Sequence, residues 1–407
     1  MEKTKQKAVD KTKLLQSLEK ELLESGNRYS GLNRELDIAI SELATYFENQ
    51  DTLIQGLNFG ALTYEHAFLR RKAGDMWVQE NVAALLSEFR QARDLDPDRF
   101  WNFWIKRIHV TESAIKNTAA VLTLMLQGDR SELDLYVFVK SIIRDAGDLL
   151  EGSLQPFARL RLEVWDILNW RSPSAPPIES MTFGEVISEL SQNVSVGQIY
   201  KTLPFGISVS QWRNISNHNS FEVKGEHIIC AYGPAGKRKT IELCMDDLAS
   251  VLRYCDDLYY VHKIAREFFG IDNVSKILPY GPEYVMSDYS LDCSLAYGLV
   301  SAGFSIIEAS YRPKDWVLRL KDRHARKHRE LKTALQDACY SYLLFSNPVH
   351  FVANVHSETH VYRISFLASI VKKGATLPPG FRGDVRGADK IGRIGKSCLM
   401  KVASRKT

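Results

Sequence analysis

The sequence predicts a mainly α-helical protein that carries a small amount of β structure. Apolar residues recur at three- and four-residue spacing through most of the first 270 residues, as amphipathic helices require. Two runs of alternating residues near residue 230 are joined by a glycine-rich turn, which predicts a β-hairpin. The composition is 45% hydrophobic and 25% charged, within the ordinary globular range, and this excludes disordered and collagen-like classes.

The length of 407 residues predicts two or three domains. Changes in sequence texture divide the chain into four parts: an N-terminal helical domain over 1–130, a helical bundle with a hairpin insertion over 131–270, a small basic α+β domain over 271–373 and a basic tail over 374–407.

The N-terminal part is predicted to be helical from Lys11 to about Leu126. The step Leu95-Asp-Pro97 opens one of its helices, because Asp favours the cap and Pro is tolerated in a first turn. Four aromatic residues follow within five positions: Phe100, Trp101, Phe103 and Trp104. They suit either a binding platform or core packing, and we expect core packing.

The bundle is predicted to contain four or five helices and the hairpin. The pattern from Leu135 past Pro156 to Trp170 predicts one long kinked helix or two abutting ones. The other elements are a helix with Thr182 near its N-cap, a helix capped by Ser208 or Ser210 and ending at Asn219, strands over 227–232 and 240–244, and a helix over 246–268.

The residues after Gly270 hold the basic charge of the chain. They contain 21 Lys and Arg against 12 Asp and Glu, a net charge of +9. The run Arg319–Lys332 predicts a highly charged helix, and the stretch from Gly374 predicts a flexible basic tail or a loosely packed arm. This asymmetry favours an acidic partner such as nucleic acid, although a solubilising surface explains it equally well.

No apolar stretch reaches the roughly 20 residues that cross a bilayer, and the Lys-rich start has no apolar h-region behind it. We therefore expect a cytoplasmic protein with no membrane partner. The six cysteines form no C-x-x-C pair, which argues against a disulfide framework and against a structural zinc site.

One group of residues has the composition of a catalytic site: Arg213, Asn214 and His218 on the fourth predicted helix. An imidazole beside a fixed cation and an amide is suited to moving protons at a phosphodiester and to stabilising its transition-state charge. At about 100° per residue, Asn214 and His218 share a helix face, whereas Arg213 lies about 140° from His218. The spacing alone is weak evidence, because Arg323 and His328 fit it too.

The stretch 131–270 resembles the HEPN (higher eukaryotes and prokaryotes nucleotide-binding) superfamily of helical bundles with an Arg-x4-6-His motif. The resemblance rests on the acidic helix around Arg144-Asp145-Ala-Gly-Asp148-Leu-Leu-Glu151, the helix opening Met181-Thr-Phe-Gly184, the segment Trp212-Arg213-Asn214-Ile-Ser-Asn-His218-Asn219, and the following hairpin and helix. It covers about a third of the chain.

The resemblance implies a metal-independent endoribonuclease without a cofactor. His218 and Arg213 would act at the scissile phosphate, Asn214 would orient them, and Asp145, Asp148 or Glu151 would assist. The ribose 2′-OH would attack its own phosphodiester, so RNA is the expected partner. The resemblance also implies a homodimer with a shared cleft. By analogy, the protein would be a defence or abortive-infection effector, or toxin, with a sensor or regulatory N-terminal domain.

Further basic residues are candidates for holding RNA phosphates. They are the hairpin tip Lys237, Arg238 and Lys239, and the residues Arg323, Arg326 and Lys327 of the charged helix. Several alternatives remain open. His218 also fits a helix-end histidine bound to backbone carbonyls, the three acids also fit a solvated face, and the chain also fits a non-catalytic nucleic-acid-binding or regulatory protein whose bundle is a dimerisation scaffold.

Overall fold

The computed structural model describes residues 32–58, 62–127, 133–192, 197–200, 204–234, 236–277, 299, 304–311, 315–323, 331, 335, 350–356, 360–367 and 403–406. Its main helices are α1 (Leu32–Leu43), α2 (Gln50–Asn58), α3 (Thr63–Arg71), α4 (Met76–Leu95), α5 (Pro97–Gln127), α6 (Leu135–Asp148), α7 (Gln155–Ile167), α8 (Phe183–Gln192), α9 (Val209–Asn217), α10 (Met245–Asp272) and α11 (Val274–Ile277).

The strands belong to two sheets. The first contains β1 (Phe221–Lys224), β2 (His227–Tyr232) and β3 (Lys239–Leu243), and the second contains β4 (Phe304–Tyr311), β5 (Asp315–Asp322), β6 (His350–His356), β7 (His360–Leu367) and β8 (Ala403–Lys406). The prediction of a mainly helical protein with small amounts of β structure is confirmed.

The chain separates into two compact units. The described part of the first covers 71–121 and 133–277, and the described part of the second covers 32–70, 122–127 and the residues from 299 onward. Helix α4 and most of α5, which the sequence analysis assigns to the N-terminal domain, therefore pack in the same unit as the helices of 131–270.

Helix α10 is the centre of the first unit. It packs against α4, α6 and α7, and its buried residues lie on every side of the helix. The predicted core role of the aromatic cluster is confirmed for Phe100 and Trp104, which are 0% and 2% exposed and lie against Phe269 of α10. Ring contacts of this kind add to the free energy gained from burial.

A buried ion pair joins α4 to α7. Arg161 donates from Nε and Nη2 to the two carboxylate oxygens of Glu88 at 2.8 and 2.6 Å, and Trp165 Nε1 donates to the same carboxylate at 3.0 Å. The side chains of Arg161 and Glu88 are only 1% and 2% exposed. The hydrogen bonds offset part of the cost of removing both charges from water.

A buried histidine lies near this pair. His262 Nδ1 donates to the Leu258 carbonyl at 2.8 Å, so its Nε2 accepts from the Tyr200 hydroxyl at 2.6 Å. Burial, reinforced by the positive charge of Arg161, lowers the pKa of His262 to about 3. The imidazole is therefore neutral in the folded protein at physiological pH.

Two helices begin at the predicted capping residues, whereas Ser208 precedes α9 without a side-chain capping bond. Asp96 Oδ1 accepts from the Arg99 backbone at 3.1 Å, where α5 begins at Pro97. At the start of α8, Thr182 Oγ1 accepts from the Glu185 backbone at 3.3 Å and the Glu185 carboxylate accepts from the Thr182 backbone at 2.6 Å. This reciprocal pair is a capping box.

The predicted hairpin is confirmed, and β1 adds a third strand to it. Strands β2 and β3 are antiparallel, with Cys230 opposite Ile241, and β1 pairs with the other edge of β2. Cys230 and Leu243 are buried, so one face of this small sheet packs on the bundle.

The second unit contains a five-stranded sheet in the order β4-β5-β6-β7-β8, with β5 and β6 parallel and the other pairs antiparallel. The prediction of a charged helix from Arg319 is wrong over Arg319–Asp322, which belong to β5. Apolar Leu318 and Leu320 alternate with Arg319 and Lys321, and that period of two is typical of a strand. The rest of the predicted helix lies mostly outside the described residues.

The C-terminal tail prediction is also corrected at one point. Residues 403–406 form β8 and pair with β7, whereas 374–402 lie outside the described residues. Within the described ranges, no helix combines the length and the apolar character that crossing a bilayer requires. The described cysteines, Cys230, Cys244 and Cys255, are not in disulfides.

Candidate functional site around Arg213 and His218

Helix α9 carries Arg213 and Asn214 on its outward side, and His218 follows its last residue. Val209, Trp212 and Ile215 are buried and hold the helix against the bundle, as their spacing predicts. Arg213 and Asn214 are therefore half-buried at the surface of the first unit.

The end of α9 places His218 outside the helix. Asn219 has a positive φ of 45°, and the backbone N–H groups of Asn219 and Ser220 donate to the carbonyls of Ser216 and Ile215 at 3.1 and 3.0 Å. This is the Schellman pattern, for which Asn is one of the few suitable residues other than Gly. His218 is the C-cap, and its backbone N–H donates to the backbone carbonyl of Asn214 at 3.0 Å.

The His218 side chain is exposed. Among the residues that the structure describes, its imidazole has no hydrogen bond or ion pair. The alternative of a helix-end histidine satisfied by backbone carbonyls is therefore not what the structure describes, because only the backbone of His218 makes such a bond.

Glu151 lies in a π-helical turn, Leu149–Leu154, that joins α6 to α7. Of the two predicted alternatives, one kinked helix or two abutting ones, the structure has two helices, α6 and α7, that follow each other through this wider turn. Pro156 has no N–H to continue the ordinary ladder, and Gln155 N–H instead donates to Leu150.

Asn117 of α5 stabilises the π-helical turn from outside. Its side-chain nitrogen donates to the Asp148 carbonyl at 3.2 Å and to Ser153 Oγ at 3.1 Å. The Asp148 carbonyl and the Ser153 hydroxyl are thereby hydrogen-bonded to α5, which fixes the turn that carries Glu151.

Glu151 binds two residues of α9. Arg213 donates to its carboxylate from Nε at 3.2 Å and from Nη2 at 2.6 Å, and Asn217 Nδ2 donates at 2.7 Å. Arg213 and Asn217 are four positions apart and so lie on one helix face. The hydrogen bonds from Arg213 and then from Asn217 lower the pKa of Glu151. The bidentate geometry holds the guanidinium in one orientation.

Asn214 completes the orientation of Arg213. Its Oδ1 accepts from Arg213 Nη1 at 3.2 Å. A guanidinium has five N–H donors. Glu151 and Asn214 take three of them in the described structure, which leaves two to bind a phosphate oxygen.

The other two predicted acids occupy different surroundings. Asp145 is buried in α6 at 8% exposure. Asp148 is on the exposed side of the helix, where its Oδ2 lies 3.8 Å from Arg144 Nε. Burial raises the pKa of Asp148. Of the three predicted acids, Glu151 is the one that contacts Arg213 within the described part of the chain.

Gly147 permits the close approach of α6 and α9. A Cβ at Gly147 would lie 2.1 Å from Ser216 Oγ and 2.5 Å from Ser216 Cβ. Real Cβ atoms do not approach other atoms so closely, so only glycine fits this contact. The contact is next to Asn217 and sets how near Glu151 comes to α9.

The predicted basic hairpin tip is anchored to α9. Lys237, Arg238 and Lys239 are exposed at the β2–β3 turn. Gln211 of α9 accepts from the Gly233 N–H at 2.9 Å, at the start of that turn, where Gly233 has a φ of 95°. The hairpin and the motif helix are thus joined by a direct hydrogen bond.

The remaining RNA-binding candidates lie in the second unit. Arg323 is exposed just after β5, and Arg326 and Lys327 lie outside the described residues. His356 and His360, a pair that the sequence places three residues apart, lie at the end of β6 and the start of β7. No group of His, Cys, Asp or Glu suited to a metal ion occurs among the residues described.

Sequence reasoning did not identify Asn217, Gly147, Asn117 or Gln211 as parts of this site. Asn217 carried a signal, because it lies four positions after Arg213. The other three act through packing or through hydrogen bonds between distant elements, for which the sequence offers no local pattern.

Comparisons with known proteins found no match: no family model, no curated protein and no solved structure is similar to this chain.

Proposed function

We propose that the first unit is a HEPN-type endoribonuclease that cleaves RNA at a site formed by Arg213 and His218. The observation that carries the proposal is a guanidinium that Glu151 and Asn214 hold in a fixed orientation, on a helix whose C-cap is an exposed histidine. Fixed donors near a phosphate stabilise the charge that develops in the transition state.

The proposed reaction needs only RNA. The ribose 2′-oxygen attacks the adjacent phosphorus, the bond from phosphorus to the 5′-oxygen of the next nucleotide breaks, and a 2′,3′-cyclic phosphate and a 5′-hydroxyl result. His218 moves a proton, either from the 2′-OH or to the departing 5′-oxygen. Arg213 binds a non-bridging phosphate oxygen through its two remaining donors.

The two proton transfers favour a second imidazole. A twofold contact that brings two copies of α9 together would supply His218 from each protomer, one as base and one as acid. We therefore include a homodimer in the proposal, with sedimentation or light scattering as its direct test.

The decisive variant is His218→Ala in the full chain, with a fluorescent RNA oligonucleotide as substrate. Because the His218 side chain is exposed and makes no hydrogen bond or ion pair with a described residue, we expect unchanged stability. Because His218 moves a proton in the proposed reaction, we expect cleavage to fall by about 10²- to 10⁴-fold. His227→Ala is a matched control, since His227 is also exposed and pairs only with Glu242 in the described structure.

Three readouts complete the test. The wild-type products should carry cyclic phosphate ends, cleavage should persist in excess EDTA, and Arg213→Lys should be impaired because an ammonium cannot bind Glu151 in the same bidentate way. Equal cleavage by wild-type protein and His218→Ala, or products with 3′-hydroxyl ends, would refute the proposal and favour a non-catalytic role.

A further inference from the structure

The five-stranded sheet of the second unit has two chemically different faces. On β5, Leu318, Leu320 and Asp322 are buried, whereas Arg319 and Lys321 between them are exposed. Residues of one strand alternate between the faces of a sheet, so the exposed positions define one side. We call this side the open face.

Strand register extends the open face across the sheet, because paired residues lie on the same side. We call a line of paired residues across the five strands a row. The row that contains Arg319 consists of Glu308, Arg319, Asn354, Arg363 and Ala403, from β4 to β8. The row of Lys321 runs through Ser305, Lys321, His356, Val361 and Arg405.

The opposite face is buried and mostly apolar where its side chains are described. Phe304, Leu320 and Val355 are each 0% exposed and occupy neighbouring positions in the register, and Asp322 is the charged residue buried among them. Leu331 and Leu335, from the connection between β5 and β6, are also fully buried. On β5 the sheet therefore has one buried side and one exposed side.

On β5 the described side chains of the open face include two exposed cations, Arg319 and Lys321. By register, the two rows that contain them hold four Lys or Arg positions and one acid, Glu308, and Asp315 occupies the same side at the start of β5. Neighbouring strands are about 4.8 Å apart, and alternate residues of one strand are about 6.6 Å apart. Cationic positions at these separations suit a polyanion with regularly spaced charges better than a single small anion.

The two rows offer no large aromatic platform for bases. At the register positions of the two rows there is no Phe, Tyr or Trp, the residues on which bases most often stack. Binding there would depend mainly on phosphates.

We propose that the open face binds the sugar–phosphate backbone of single-stranded RNA through Arg319 and Lys321. The inference rests on the proposed function only for the choice of RNA, and the site is separate from Arg213 and His218. It assigns the phosphate contacts to residues on one side of β5, which takes the place of the predicted helix over Arg319–Asp322.

The test compares two double variants in a His218→Ala background, which prevents cleavage. Arg319→Gln with Lys321→Gln removes two charges from the open face. Lys106→Gln with Lys140→Gln removes the same charge from exposed positions on α5 and α6 and is the matched control. The probe is a fluorescein-labelled 20-nucleotide oligouridylate, and binding is measured by anisotropy from low to moderate salt.

We expect the open-face variant to bind at least about tenfold more weakly near 0.1 M salt, with a salt slope smaller by about 1.4, or about 0.7 for each lost phosphate contact. The control should bind as the parent does. A third double variant, Arg319→Lys with Lys321→Arg, keeps both charges and should retain binding. Its binding shows whether substitution at these two positions disturbs the fold or only removes charge.

Unchanged affinity and slope in the open-face variant would overturn the inference, as would an equal loss in the control. The outcome is independent of catalysis, because all of these proteins lack His218. Binding by the open face without any cleavage by the protein that retains His218 would refute the proposed ribonuclease and leave this inference standing.

Discussion

Replacing Gly147 by Ala should separate α6 from α9 and impair the site without touching a functional group. The added Cβ would lie 2.5 Å from Ser216 Cβ, and ordinary contacts begin at 3.4 Å, so the helices must move apart by about 0.9 Å. Rotating the serine hydroxyl cannot relieve this clash, since the Cβ atom is fixed to the backbone. Overpacking of this kind costs about 1–3 kcal/mol.

The net change is smaller, because Ala is favoured over Gly in a helix by about 1 kcal/mol. We therefore expect Gly147→Ala to lower the free energy of unfolding by up to about 2 kcal/mol. A shift of 0.9 Å would also lengthen the Asn217–Glu151 hydrogen bond from 2.7 to about 3.6 Å, beyond the range of a good bond. RNA cleavage should fall with it.

The assay is urea unfolding followed by tryptophan fluorescence, with Gly184→Ala as the control. Gly184 also lies in a helix, but a Cβ there would find its nearest neighbours at 3.9 Å, so this variant should be neutral or slightly stabilised. Ser216→Gly removes the atoms that clash, and it should restore much of the loss when combined with Gly147→Ala. Independent, additive effects of the two substitutions would refute the steric argument.

Two further predictions concern the buried polar residues. Because the pKa of His262 is about 3 in the folded protein and about 6.5 when unfolded, its neutral form stabilises the fold above pH 6.5 and that stability is lost as pH falls. Between pH 7 and pH 5 the free energy of unfolding should drop by about 2 kcal/mol more in wild-type protein than in His262→Gln, and an equal drop in urea titrations of both would contradict this. Glu88→Gln should cost about 3–5 kcal/mol, because it leaves the Arg161 charge buried without its partner. The exposed Glu222→Gln control should stay within about 0.5 kcal/mol of wild type, and a similar small cost for Glu88→Gln in the same unfolding assay would disprove the reasoning.

Local patterns in the sequence predicted the local structure of the first unit well. Asn219 ends α9, Thr182 precedes α8, and the turn from Gly233 separates two strands, in each case because a short-range backbone requirement selects particular residues. The error at Arg319 had a different origin. The density of charge obscured an alternation of apolar and charged residues that was present in the sequence from Leu318 to Lys321.

The candidate site was predictable only in part. Arg213, Asn214 and His218 are close in sequence, and their residue types suggest chemistry by themselves. Glu151 is 62 positions from Arg213, and its contact depends on the π-helical turn, on Gly147 and on Asn117 together. Contacts of this kind arise from the packing of three helices, which no short segment of sequence specifies.

The π-helical turn at Leu149–Leu154 also sets the rotation of α7 about its own axis relative to α6. In an uninterrupted α-helix, each residue advances the side chains by about 100°, so removing one residue from this turn would rotate everything downstream by that angle. A chain shortened by one residue here would have to choose between keeping the buried face of α7, with Arg161 and Trp165, and keeping Glu151 beside Arg213. The length of this six-residue turn is therefore what allows the core and the candidate site to be satisfied at once.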